Sequence, residues 1–459
     1  MLLLLGLALL AVAGVVYLLG YRGGGRPPAE TQAVTTSVAP TELRFTNAGA
    51  TRISSYAATV SWATSDPSTA RLQWGPLGVV PVLWETVRSF GTRHVVTLEG
   101  LASSTSYEVT ITASSLARKS IRANVSFTTA PAPGEMHGAV RDSVLLVNGE
   151  PFFPLIAWQQ CVEQLPASAA AGIDLFAGGS CAGLSTLLDG LRGRALVAGG
   201  DGDAPATGPG LLGWFYPDEA DARGLTGASL PRLPAGVRFL TVTSHFAAGA
   251  APLPDGPSVY RGLAAAADVV GFDLYPLQQL CRRDLLSADF DVQQQLEALA
   301  PGRPTFQWIE ARGMQCGNGD GLAISPSTIR AESWLALAAG AHGLAFFPPD
   351  WDLGALPAIR GIATRIRQIE PALLRPVVPV RVSAAPGVRA SARVYHDAAY
   401  VIAVNGGTTA SDVRLRVPGL ADRTLLVVGR SRTLRARAGV LTDRLSPLAV
   451  RIYVAPPSR

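Results

Sequence analysis

The sequence predicts a multidomain chain: an N-terminal membrane segment, a β-sandwich, a (β/α)8 barrel and a C-terminal β-sandwich. Three observations lead there. Eight short apolar runs between residues 153 and 347 each give way to a helical or loop segment, the alternation of a parallel barrel. On either side, short alternating strands are broken by Gly, Pro and Asn, the pattern of antiparallel sandwiches. Residues 2–20 are almost wholly apolar, long enough to cross a bilayer.

Residues 1–21 read as a signal peptide or membrane anchor. No Lys or Arg precedes the apolar run, while Arg22 and Arg26 follow it, so cleavage stays open. The expected location is extracytoplasmic, secreted or held at the cell membrane. Residues 22–39, with three consecutive glycines and Pro27-Pro28, form a linker. From 40 to 130 a β-sandwich is expected, with strands at Ala57–Trp62, Arg71–Trp74, Arg93–Leu98, Thr105–Ile111 and Asn124–Phe127. A Pro-rich link at 131–134 follows.

The barrel occupies 135–372. A hairpin at Ser143–Pro154 leads into strands Phe153–Trp158, Ile173–Ala177, Ala195–Ala198, Leu212–Tyr216, Val237–Thr243, Val269–Leu274, Thr305–Ile309 and Gly343–Phe347. Helices are expected at Thr186–Leu191, Ala220–Arg223, Val259–Ala266, Asp291–Leu299, Ser327–Ala339 and Ala358–Ile369. The third crossover, 199–210, is rich in Gly and Pro and carries no helix signal. A doubly wound sheet would offer a Gly-rich phosphate loop after its first strand, where this chain has Gln159-Gln160. Residues 376–459 form the second sandwich.

Composition narrows the function. The chain carries 38 Arg, one Lys and 34 acids, so its net charge of +5 is small for 459 residues. Without a Lys/Arg-rich run, no nucleic-acid partner is expected. No Cys or His pair has zinc spacing, Asp201-Gly-Asp203 lacks the rest of a calcium loop, and no Gly-x-Ser-x-Gly elbow is present. No cofactor and no metal are expected. The four cysteines follow strands one, two, six and seven. Neighbouring loops on one barrel face would pair Cys161 with Cys181 and Cys281 with Cys316.

In a barrel, residues just past the C-terminal strand ends share one mouth. That rule collects Trp158, Asp218, Glu219, His245, Asp273, Tyr275, Glu310, Arg312 and Trp351. Two carboxylates, Glu219 and Glu310, are the minimum equipment for glycoside hydrolysis, retaining at a separation of about 5–5.5 Å. Each also has a plain alternative. Asp218 and Glu219 open a segment where acids favour a helix dipole, and Asp218 could serve only as an N-cap. Glu310 could be ion-paired to Arg312. Asp273 could hold neighbouring side chains, His245 could be an ordinary loop histidine, and Trp158 and Trp351 could pack beneath loops.

Two resemblances join these readings. Trp62 with Leu98-Glu-Gly-Leu101 and Thr105-Ser-Tyr107-Glu-Val109-Thr-Ile111 resembles fibronectin type III, with Tyr107 at the family's tyrosine corner. The acid pair ending strand four, Glu ending strand seven and Trp351 after strand eight resemble the retaining (β/α)8 glycoside hydrolases. That resemblance implies Glu219 as acid/base, Glu310 as nucleophile, Tyr275 bonded to the nucleophile and Trp351 as a sugar platform. The expected partner is an oligo- or polysaccharide, bound also through Trp158, Asp218, His245, Asp273 and Arg312. Where many members carry Asn before the acid/base, this chain has Asp218. A catalytically silent glycan-binding barrel and a structural surface protein are the other readings.

Overall fold

The computed structural model describes residues 42–457, apart from 56, 79–80, 82, 100, 102–104, 117–118, 131–135, 180, 182, 248–256, 315, 317–322, 348 and 352–353. The apolar segment 1–21, the linker 22–39 and the link at 131–134 therefore lie outside the described residues. Among those described, no helix is long and apolar enough to cross a membrane.

Eight parallel strands close a barrel: β1 (Leu155–Trp158), β2 (Leu175–Ala177), β3 (Leu196–Gly199), β4 (Leu211–Phe215), β5 (Val237–Thr243), β6 (Val269–Asp273), β7 (Thr305–Glu310) and β8 (Gly343–Phe347), which pairs back to β1. Period-two alternation sets what each strand sends inward. Phe239, Val269, Phe306 and Trp308 meet Trp158 and Phe215 in the barrel interior. The rings stack or meet edge-on, as at Phe215 and Phe239 (4.9 Å) and Trp158 and Trp308 (5.6 Å). Gly271 is required there, because a Cβ would lie 2.2 Å from the Phe306 ring.

The surrounding helices are α1 (Leu165–Ala170), α2 (Leu184–Leu191), α3 (Pro257–Ala266), α4 (Ala288–Leu299), α5 (Pro326–Ala339) and α6 (Ala355–Leu373). As expected, none joins β3 to β4. The helix expected at 220–223 is not formed; turns take its place, because Asp221 is drawn inward to Thr243. Helix α1 was not foreseen, since six residues carry too little periodicity. Helix α5 starts at a capping box between Ser325 and Thr328. It is buried nearly all round, with Trp334, Leu335 and Leu337 sharing one apolar cluster with Ile402, Val404 and Ile452 of the C-terminal strands.

A small antiparallel sheet, Gly138–Arg141, Val144–Val147 and Glu150–Phe152, covers the N-terminal strand ends. Its Leu145 joins the barrel interior cluster, and Gly138 packs so closely that a Cβ would clash with Val237. The C-terminal ends are thus the mouth.

The N-terminal strands are Phe45–Thr51, Ala58–Pro76, Leu83–Leu98, Ser106–Ser115 and Ser120–Thr128, all antiparallel. Ala57–Trp62 and Arg71–Trp74, expected as separate strands, are halves of one continuous strand. Its first half pairs with Phe45–Thr51 and its second with Ser106–Ser115, the register shifting between Ala63 and Ala70. Trp62, Leu72, Val109, Ile111 and Phe127 form the core, with Tyr107 buried beside them. An ion pair between Arg52 and Glu370 ties this sheet to α6.

Two sheets follow the barrel. One is six-stranded (Val378–Pro379, Val388–Tyr395, Ala398–Asn405, Val450–Ala455, Thr424–Val427 and Thr433–Arg435). The other is three-stranded (Arg381–Ser383, Ser411–Arg416 and Val440–Leu445). Val401, Leu415, Leu425, Leu441 and Tyr453 from both form one core.

Disulfides join Cys161 to Cys181 and Cys281 to Cys316, with Cα separations of 5.6 and 5.7 Å. Each bridges loops at the mouth, after β1 and β2 and after β6 and β7. Loops of 20 and 35 residues make each bridge worth about 2–4 kcal/mol in the chain-entropy account. Reduction is therefore expected to lower the midpoint of thermal unfolding by several degrees, and intact-mass measurement should find no alkylatable thiol beforehand.

Candidate active site

The β4 end carries Asp218 and Glu219, both partly exposed, directly after the buried Tyr216 and Pro217. Glu219 has φ +48°, a left-handed backbone that non-glycine residues adopt at a cost of about 1–3 kcal/mol. The turn holding it there is fixed by Asp221. That fully buried carboxylate accepts from the Thr243 amide (2.9 Å) and the Thr243 hydroxyl at the end of β5. Replacing Asp221 with Ala would leave the Thr243 amide without its acceptor and free the turn. We expect a loss of about 1–3 kcal/mol in stability, with activity falling further than stability. Denaturation and rate measurements on the same preparation check this.

One strand beyond β5, Asp273 ends β6 on the parity of Val269 and Gly271, whose positions face inward. Its Oδ1 is buried and finds no donor among the described residues. Burial first, then the hydrogen-bonding Glu219 side chain and the charges of Asp218 and Asp221, push the Asp273 carboxyl well above the usual carboxylate range. Two ionised carboxylates in contact would be acceptors without a donor; one proton between Asp273 and Glu219 supplies it. Asp218 is raised too, by burial and by Glu219, against the opposing charge of Arg223.

Tyr275 is buried, stacked 5.8 Å from Phe347, and burial together with the charges of Asp273, Asp218, Glu310 and Glu219 pushes its phenol up. Trp158 is nearly buried, edge-on to Phe215 and Trp308, and closes the mouth from below. His245 is exposed in a 3-10 turn after β5. Arg312 pairs with Asp350 (2.9 Å), both exposed, so Arg312 is not the partner of Glu310. Trp351 is half-buried, packed edge-on against Phe346 with its indole nitrogen shut off from solvent. Asp203 accepts from the amides of Gly179 and Gly200 (2.7 Å each) and Asp201 pairs with Arg223, which accounts for that acidic loop.

Glu310 ends β7 but is 0% exposed. Its oxygens accept from the amides of Leu277 (3.2 Å) and Gln278 (2.7 Å), and Glu332 of α5 accepts from its own amide. Burial pushes Glu332 well above its usual range, and the charges of Glu310 and Asp289 push further. Burial raises Glu310 too, opposed by its bond with Glu332 and by the Gln278 and Leu277 amides, so of the two Glu332 is the one pushed further toward its protonated form. An oxygen with no open surface cannot lie against an anomeric carbon, so a nucleophile's role for Glu310 lacks the access it needs.

Asp289, Gln307 and Glu332 were missed by sequence reasoning. The available signal was the apolar surface all round α5, which forces any acid on it into the interior.

No protein-family model matches the sequence, and no curated protein matches it. The fold is similar to solved structures at low identity. An endoxylanase of glycoside hydrolase family 30 from Clostridium papyrosolvens is 12% identical, with 70% of this chain and 100% of that chain covered and a TM-score of 0.41. An α-amylase from Geobacillus thermoleovorans is 11% identical, covering 67% and 99%, with a TM-score of 0.40. A β-glucuronidase from Ruminococcus gnavus is 8% identical, covering 70% and 68%, with a TM-score of 0.37.

Proposed function

We propose that this chain is an exported glycoside hydrolase whose proton chemistry belongs to Asp273, with Glu219 and Asp218 as the facing carboxylates. One observation carries the reading: acids from two different strand ends meet at the mouth, where burial and the hydrogen-bonding Glu219 raise the Asp273 carboxyl well above the usual carboxylate range. Asp273 donates its proton to the glycosidic oxygen as the bond from that oxygen to the anomeric carbon breaks. Glu219, no longer sharing that proton, and Asp218 then face the positive charge developing on the sugar. Water adds to the anomeric carbon, and its proton returns to Asp273. Glu219 keeps a catalytic role, while the role first expected of Glu310 passes to these mouth acids.

The sealing of Glu310 favours a second reading, a barrel that binds glycans without cleaving them. One assay separates the two. The protein is incubated with aryl glycosides and neutral polysaccharides, and released reducing ends are measured beside binding. Release by the parent chain, abolished in Asp273→Asn, supports hydrolysis; binding without release by either protein supports the second reading. The two disulfides are consistent with an oxidising compartment. We assign residues 1–21 to export or anchoring, 40–130 to a fibronectin type III-like spacer, 135–372 to the barrel and 376–459 to the second sandwich.

A further inference from the structure

Charge is distributed very unevenly along the chain. Residues 376–459 contain thirteen Arg and four Asp, with no Lys or Glu, so this stretch alone exceeds the net +5 of the whole protein. Three of its four acids are engaged. Asp412 pairs with Arg444, Asp443 pairs with Arg432, and Asp422 accepts from the Ala438 amide. On the outer face of the three-stranded sheet, Arg381 stands directly opposite Arg416 in the antiparallel register, and Arg414 lies two residues along the same face. All three are exposed, and none has a carboxylate partner among the described residues. Like charges directly opposite across a strand pair destabilise it, and an anion bound beside both would offset that cost. The same two arginines line a cleft of about 680 Å³, with Pro379, Pro418, Ala438 and Gly439 among its walls and no acid in its lining.

The geometry points to a binding site for an acidic sugar unit of a linear anionic polysaccharide in this cleft, separate from the barrel mouth. Arg381 and Arg416 present forked donors that match a carboxylate. Pro379, Pro418 and Ala438 give C–H surface for the ring. The volume is that of a small-molecule site, far larger than an inorganic anion fills. No aromatic side chain lines the cleft to stack a nucleobase. The disulfides are consistent with an oxidising compartment, where anionic polysaccharides are accessible partners. The site would hold the protein on a charged polymer independently of what the barrel does.

The test is calorimetric titration of the full-length protein, kept in a non-ionic detergent, with tetragalacturonate at low salt. Binding is expected, weakening as salt rises. Arg381→Gln/Arg416→Gln should weaken it at least tenfold, with a thermal midpoint equal to or above the parent's because the facing charges are gone. Arg381→Lys, which keeps the charge but loses the fork, should weaken it severalfold. Arg430→Gln/Arg435→Gln removes the same charge from exposed positions outside the cleft and should change affinity less than threefold. Equal losses in the two double variants would reduce the site to diffuse charge and overturn it. So would the absence of tetragalacturonate binding, or tenfold tighter binding of a DNA oligomer or of phosphatidylglycerol vesicles.

Discussion

Asp273→Asn is expected to lower turnover of substrates with poor leaving groups by about 10²–10⁴-fold, the usual contribution of a positioned general acid. The amide keeps the shape of the carboxyl and can hydrogen-bond to Glu219, so folding should be preserved. It has no proton to transfer. Aryl glycosides whose phenolate departs unaided should lose much less, and that leaving-group dependence is what separates an acid from a residue that only shapes the mouth. The pH profile adds a second readout. Activity needs the protonated form of Asp273, so the rate falls as pH rises through its raised pKa. Glu219 is a principal cause of that elevation after burial. In Glu219→Gln, whatever activity remains should therefore fall at lower pH than in the parent. A basic limb that stays in place, or an Asp273→Asn protein with full activity on every substrate, would sink the assignment.

The barrel was legible because each strand is buried on both faces and reads as a short apolar run between turn signals. That signal is local. Side-chain pairing is not, and the sequence reading failed where pairing decided the outcome. Segment 220–223 looks helical until Asp221 turns inward to Thr243, a partner 22 residues away. Glu310 was read as needing a partner, which was right, but Arg312 was the nearest candidate in sequence. The actual partners lie 32, 33 and 22 residues away, at Gln278, Leu277 and Glu332. Arg312 meanwhile reaches Asp350 on the next loop. Asp273 was placed at the mouth from its strand end, but its contact with Glu219 depends on the barrel curvature that brings the ends of β4 and β6 together over β5. No spacing along the chain encodes that distance.

The buried acids behind β7 yield the other large effect. Glu310, Glu332 and Asp289 are all shut off from solvent, and Gln307 donates to Asp289 (2.9 Å). Glu332→Leu would remove the side-chain hydrogen-bond partner of the buried Glu310. Leaving a buried carboxyl short of one hydrogen-bond partner costs about 1–3 kcal/mol. Glu332→Gln is different, since its amide donates to Glu310 as the protonated acid does. The pH dependence follows from the raised pKa of Glu332. At pH values below the ordinary carboxyl range, folded and unfolded chains both hold this proton, and Glu332 contributes no pH dependence. As pH rises through that range, the unfolded chain releases the proton while the folded chain keeps it, so stability falls until the raised folded value is reached. Glutamine has no proton to lose and escapes that decline. Urea denaturation of the parent, Glu332→Gln and Glu332→Leu at pH 4, 6 and 8 should show the Gln variant gaining on the parent as pH rises. The Leu variant should be the least stable at pH 6 and 8, because it has no group to replace the Glu332 bond to Glu310. A Gln variant that loses as much as the Leu variant at pH 8 would mean that Glu332 is ionised in the folded chain.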